Sequence, residues 1–302
     1  MTGIFVLSLD EELLWGVSSR SDRDYFKWGV DKERKVFKRF LDLLDKHEIK
    51  ATFAIVGHMM LQGRRDCPDK GCFCKGVDER YAFGRDVVRM IRERGHEIGI
   101  HGHTHSFFDE LSKREADEEL FKAVAAARSL GIEAKSMVFP QNRVAHQKSL
   151  SRHGISAYRG ADEWWFSKFP GFVQKPLHLL DYLFTVTPPV YKARREKAEG
   201  GVLYNLPGSM FYLARDGFRR YVPMGCRVKK AIKGMDKAIN EDKVFHLWFH
   251  PFNLSWDSGE MLKGLDQILA YAAEKRKRGE LRTMTMQEVV RYEDTRHKRD
   301  RQ

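Results

Sequence analysis

The chain has 302 residues, of which 42% are hydrophobic and 32% charged, the balance of a globular protein with an ample core. Its 54 Lys and Arg against 42 Asp and Glu give a net charge of +12, which bears on partners and solubility and not on fold. No stretch comes near the ~18 apolar residues of a membrane span, and four cysteines are too few to staple a chain of this length.

In chain order, Ile4–Leu9 reads as a buried strand that ends in Asp10, Glu11 and Glu12. The stretch before it has no basic n-region, so no secretory signal is expected and the protein reads as cytoplasmic. Glu33–Lys46 carries a helical stripe of Val36, Phe37, Phe40, Leu41, Leu43 and Leu44. Ala51–Val56 is a second strand. Cys67, Cys72 and Cys74 follow in a loop. They could hold zinc with Cys226 or a histidine as fourth ligand, but C-x4-C-x-C is not the usual zinc-knuckle spacing, and plain loop cysteines are the favoured reading. Tyr81–Arg94 is helical and stops at Gly95; Glu97–Ile100 is a third strand; Ser112–Leu130 is a long helix whose Ser112 and Glu115 have capping-box spacing.

Ser136–Phe139 and Ala157–Arg159 read as the next strands. Residues 162–200 form an irregular insertion with several prolines and room for one helix. Regularity returns with a strand at Val202–Leu206, a helix around Lys229–Asn240 and a strongly β-prone run at Val244–Phe249. A helix near Glu260–Lys277, a strand at Arg282–Met286 and a closing helix complete the chain. Alternating strands and helices imply a mainly parallel sheet with helices outside. The expectation is an α/β fold in one domain over residues 1–302, a distorted (β/α) barrel of about seven parallel strands with outer helices. An open doubly wound sheet lacks support, since neither a dinucleotide-binding nor a phosphate-loop glycine motif is present.

Residues of catalytic type fall at the carboxyl ends of these strands, which in a barrel is the active-site edge. His101, His103 and His105 are three imidazoles in five residues, a natural set for zinc or another divalent ion. In a helical turn His101 and His105 converge; in an extended segment all three could. A carboxylate is the expected third ligand, and a second one can act as general base. Strand alternation puts Asp10 and Glu12 on one face and Glu11 on the other, with Glu11 the fallback ligand if the strand ends early. His250, at the end of Val244–Phe249, is placed to donate a proton to a leaving group, whereas His246 reads as a core histidine satisfied by a backbone carbonyl.

Taken together, Ser8–Glu12, Gly95–Gly99 with His101–His105, Phe139–Arg143, Tyr158–Trp165 and Leu247–Pro251 resemble the polysaccharide deacetylase family of metal-dependent N-deacetylases. The resemblance runs from residue 4 to about 290. It implies one divalent metal, zinc first with iron, cobalt or nickel as alternatives, held by Glu12, His101 and His105. It implies Asp10 as base and His250 as general acid, with a backbone N–H near Pro140 aiding the oxyanion. The family arginine next to the motif proline is Gln141 here, so Arg143 is expected to hold the base. Pro140 and the tandem Trp164 and Trp165 are the substrate-binding candidates, the tryptophans as a sugar-facing wall or as packing of a large loop.

The implied reaction is hydrolysis of a non-peptide C–N bond, releasing acetate from an N-acetylated sugar or a phosphate- or lipid-linked glycoconjugate precursor. The competing readings are a hydrolase of another linear amide or ureide on the same scaffold, and a non-catalytic glycan-binding barrel. Nucleic acid is not an expected partner, because no helix-turn-helix or ribonucleoprotein motif appears. The basic runs at Arg194–Lys197, Lys275–Arg278 and His297–Arg301 would suit phosphates or an anionic membrane surface, with solvated faces as the plainer reading.

Overall fold

The computed structural model describes residues 2–299. Ten strands form one sheet: β1 (Gly3–Glu11), β2 (Thr52–Ile55), β3 (Glu97–Ile100), β4 (Ser136–Val138), β5 (Ala157–Arg159), β6 (Arg194–Ala198), β7 (Gly201–Asn205), β8 (Met210–Phe211), β9 (Val244–Phe249) and β10 (Leu281–Met284). Their order is β6-β7-β5-β4-β3-β2-β1-β9-β8. All pairs are parallel except β6 with β7. The helices are α1 (Lys27–Lys46), α2 (Glu79–Ala82), α3 (Arg85–Glu93), α4 (Lys113–Ser129), α5 (Gly171–Leu183), α6 (Met224–Glu241), α7 (Ser258–Lys277) and α8 (Met286–Arg299). The result is a curled, mostly parallel half-barrel, as the expected distorted (β/α) barrel required.

β1 is the spine. All nine of its residues are buried, which suits its apolar run. One edge pairs with β9, and the other is shared: Gly3–Val6 meet β10 and Ser8–Glu11 meet β2. Helix α1 lays Val36, Phe37, Phe40, Leu41 and Leu44 against the sheet, where the Phe40 ring meets Phe53 and Phe249. The capping box of α4 forms as its spacing predicts: Ser112 Oγ accepts from the Glu115 N–H and Glu115 accepts from the Ser112 N–H.

The expected single helix over Tyr81–Arg94 is two, α2 and α3, broken at Phe83-Gly84. The insertion is more regular than its prolines imply. It holds α5, with Pro176 inside the helix, and β6, which extends the sheet edge through its antiparallel pairing. The basic runs are largely solvated faces laced with ion pairs: Arg194 with Glu163, Arg276 with Glu48, Arg278 with Glu274 and Lys275 with Glu280. Asp300 and Arg301 of the terminal run lie outside the described residues. No described helix is long and apolar enough to cross a membrane.

Candidate active site

Because the strands run parallel, their carboxyl ends share one edge. Asp10 and Glu12 leave β1 there, His101 leaves β3, Pro140 leaves β4, Arg159 ends β5 and His250 leaves β9. Strand order makes these a contiguous arc from β5 to β9.

Alternation along β1 separates the acidic residues as expected. Asp10 and Glu12 face the edge, while Glu11 is fully buried beside Glu33 of α1, where burial and the neighbouring carboxylates push its own carboxyl up to about 8. Glu12 lies against the imidazoles, its Oε2 at 3.0 Å from His105 Nε2 and 3.4 Å from His101 Nε2. The histidine loop is not helical. His105 reaches the ion position through left-handed backbone, φ 61°, after Gly102 at φ 71°. His103 points the other way, and its ring packs on His58 at 4.1 Å. Glu119 of α4 clamps the loop, accepting from the N–H groups of His103 and Thr104 at 2.8 and 3.0 Å and from the Thr104 hydroxyl.

The residues fit a divalent ion. His101 Nδ1–H donates to the Val138 carbonyl at 2.8 Å, which leaves Nε2 bearing its lone pair toward Glu12. Both His101 Nε2 and Glu12 Oε2 are buried without a hydrogen-bond partner among the described residues. One ligand atom from each of Glu12, His101 and His105 falls within 4.8 Å of the others. One carboxylate with two imidazoles is a donor set typical of catalytic zinc and related ions. Gly16 guards this arrangement, because a Cβ there would fall 1.8 Å from Glu12 Oε1. Gly16→Ala is expected to displace the carboxylate and weaken metal binding about tenfold or more with little change in folding stability, as a metal titration beside a melting curve would show.

Asp10 is gripped by an arginine, but not by Arg143. Arg143 lies toward the surface, bridging Asp109 and Glu110, and does not take the expected role. The partner is Arg159, fully buried, whose Nη1 and Nη2 donate to the two Asp10 oxygens at 2.7 and 2.6 Å. The guanidinium also donates to Ser8 Oγ and Asn142 Oδ1, and lies 4.1 Å from the centre of the Trp248 ring. Burial pushes the Asp10 carboxyl up, but Arg159, His101 and His250 outweigh it and hold it below the usual carboxylate range. Arg143 is displaced because two residues of the turn after β4, Gln141 and Asn142, are left-handed at φ 54° and 55°, which swings the following side chain outward. The missed signal was the composition of β5: an arginine inside a three-residue buried strand needs a buried anion.

His250 is partly exposed, with Nε2 3.7 Å from both Asp10 Oδ2 and Glu12 Oε1. Its ring has Phe211 of β8 as an edge-on neighbour, an aromatic that the sequence reading did not single out. His246 is buried, Nδ1 donating to the Leu206 carbonyl and Nε2 accepting from the Ser8 hydroxyl. Trp164 and Trp165 are tied to α5: Trp164 stacks on His178, and Trp165 Nε1 donates to Asp181. Trp164 is thereby half-buried, whereas Trp165 stays more than half exposed.

Asp162 accepts from Trp248 Nε1 at 3.1 Å. Burial pushes its carboxyl up to about 7, with Arg159 and Trp248 opposing. A carboxyl raised on folding contributes fully below its ordinary value near 3.8, and that contribution is lost as pH rises through about 7. Unfolding titrations at pH 5 and pH 8 should therefore show stability falling, with Asp162→Asn flattening the slope; an unchanged slope would remove Asp162 as its source.

Residues 26–156 match the model of the family described as polysaccharide deacetylase. That match spans less than half of the chain. The fold is also that of solved structures. A candidate polysaccharide deacetylase from Mycobacterium smegmatis is 12% identical with a TM-score of 0.63, over 97% of this chain and 91% of that one. A probable polysaccharide deacetylase from Pseudomonas aeruginosa PAO1 is 11% identical with a TM-score of 0.60, over 95% and 89%. A PuuE allantoinase is 12% identical with a TM-score of 0.62, over 95% and 88%. No curated protein matches the sequence.

Proposed function

We propose that this chain is a polysaccharide deacetylase, a metal-dependent N-deacetylase of an N-acetylated amino sugar, free or within a phosphate- or lipid-linked precursor. The observation that carries the reading is the meeting of Glu12, His101 and His105 with an arginine-held Asp10 and a partly exposed His250 on one sheet edge.

A divalent metal, zinc by donor set, would be held by Glu12, His101 and His105, and would polarise the acetamide carbonyl and acidify a water. Asp10, kept ionised by Arg159, is positioned to accept that water's proton. Its two-point grip by the guanidinium fixes the orientation of both oxygens. In the turn after β4, Pro140 has no N–H, and those of Asn142 and Arg143 go to the carbonyls of Phe139 and Pro140. That leaves the Gln141 N–H as the turn's donor for a developing oxyanion. His250 carries the proton to the departing amine from the open side of the site.

Acetate release tests the reading. Wild-type protein loaded with zinc or cobalt is assayed on N-acetylglucosamine, its phosphate esters and chito-oligosaccharides, beside linear ureides. Acetate formed from an N-acetylated sugar supports the proposal. Turnover of a ureide alone would favour the second reading, for which the fold shared with an allantoinase is the specific observation.

A further inference from the structure

A second cluster lies behind the histidine loop. His58 follows β2 in a short turn, and Cys67, Cys72 and Cys74 come from the excursion before α2. One ligand atom from each of the four lies within 4.8 Å of the others. His58, Cys67 and Cys74 are buried and Cys72 is partly so. The distant Cys226 lies apart, its thiol directed at the Leu183 carbonyl.

We propose that His58, Cys67, Cys72 and Cys74 form a closed, structural zinc site. Four donors that close together suit one small ion, since Zn–S arms of ~2.3 Å give tetrahedral edges of about 3.8 Å. The histidine is set for it. Its Nδ1–H donates to the His103 carbonyl at 2.9 Å, so Nε2 presents its lone pair to Cys67 and Cys72 Sγ, each 3.4 Å away. With three thiolates the zinc centre carries one net negative charge, and binding sends three thiol protons to solvent. Cations line the excursion: Lys75 Nζ donates to the Arg64 and Cys67 carbonyls at 2.5 and 2.8 Å, and Arg64 Nε donates to the Cys74 carbonyl at 3.2 Å.

The cluster braces both arms of the catalytic edge. The His58 ring packs on His103, between the two loop ligands in sequence, and the His58 N–H donates to the His103 carbonyl. On its other side lies Trp15, 4.5 Å from the His58 ring, three residues beyond Glu12. The zinc centre therefore fixes an otherwise turn-rich segment against the loop that presents His101 and His105. The sequence alone could not show this, because the fourth ligand stands nine residues before the first cysteine and on another element.

The His101→Ala, His105→Ala double variant isolates this site whatever the reaction of the first one proves to be. Purified without chelator, it is expected to retain one zinc per chain, and after exchange with cobalt to show a thiolate-to-cobalt charge-transfer band in the near ultraviolet. Adding Cys67→Ser and Cys72→Ser should abolish both. If that quadruple variant fails to fold, the cobalt band of the double variant still decides. Absence of the band with three thiols reacting at once under native conditions, a disulfide among the three, or iron with inorganic sulfide in place of zinc would each overturn the proposal.

Discussion

Arg159→Met is expected to cost about 3–5 kcal/mol of folding stability, read from urea unfolding at neutral pH. Arg159 is fully buried and Asp10 nearly so, and the guanidinium forks onto both carboxylate oxygens. Removing one partner leaves the other charge stranded away from water, which is the costly half of a buried ion pair. The loss should exceed that of surface pairs such as Arg20 with Asp22, both more than half exposed and screened by water. Arg159→Lys restores the charge without the fork and should recover only part of the deficit. A methionine variant as stable as wild type would mean that the pair is not the anchor of this edge.

Asp10→Asn is expected to lower kcat about 10²–10⁴-fold on a productive substrate while metal content stays near wild type. The separation follows from position. The ligand cluster is Glu12, His101 and His105, and Asp10 stands beside it, committed to Arg159. Asparagine keeps the size of the side chain but cannot accept the proton. The substitution also leaves Arg159 without its anion, so kinetics are compared at a temperature where the variant's melting curve is still flat. Loss of the metal together with activity would place Asp10 among the ligands and overturn its role as base.

Much of this edge was legible in the sequence because its grammar is local. Alternation along β1 separates Asp10 and Glu12 from Glu11, and the structure keeps that separation. His101 and His105 stand four residues apart directly after a strand, and both rings face Glu12. What was illegible depends on pairing at a distance. Arg159 lies 149 positions from Asp10, and only the order β5-β4-β3-β2-β1 brings them to one edge. Arg143 was the nearer candidate in sequence, and two left-handed residues turned it away. The helical route for His101–His105 failed for a similar reason, since Gly102 and His105 both adopt positive φ, a choice of backbone that residue spacing does not reveal. Strand β6 was hidden because its sequence is Arg-Arg-Glu-Lys-Ala, and an edge strand can be nearly all charged.

The most direct measurement is metal content per chain, by elemental analysis, of wild type and of the His101→Ala, His105→Ala variant prepared side by side without chelator. The Glu12–His101–His105 site predicts that the variant loses one equivalent of metal relative to wild type and keeps its fold by circular dichroism. Equal metal in the two proteins would contradict a metal centre at this edge, and with it the hydrolytic reading built on it.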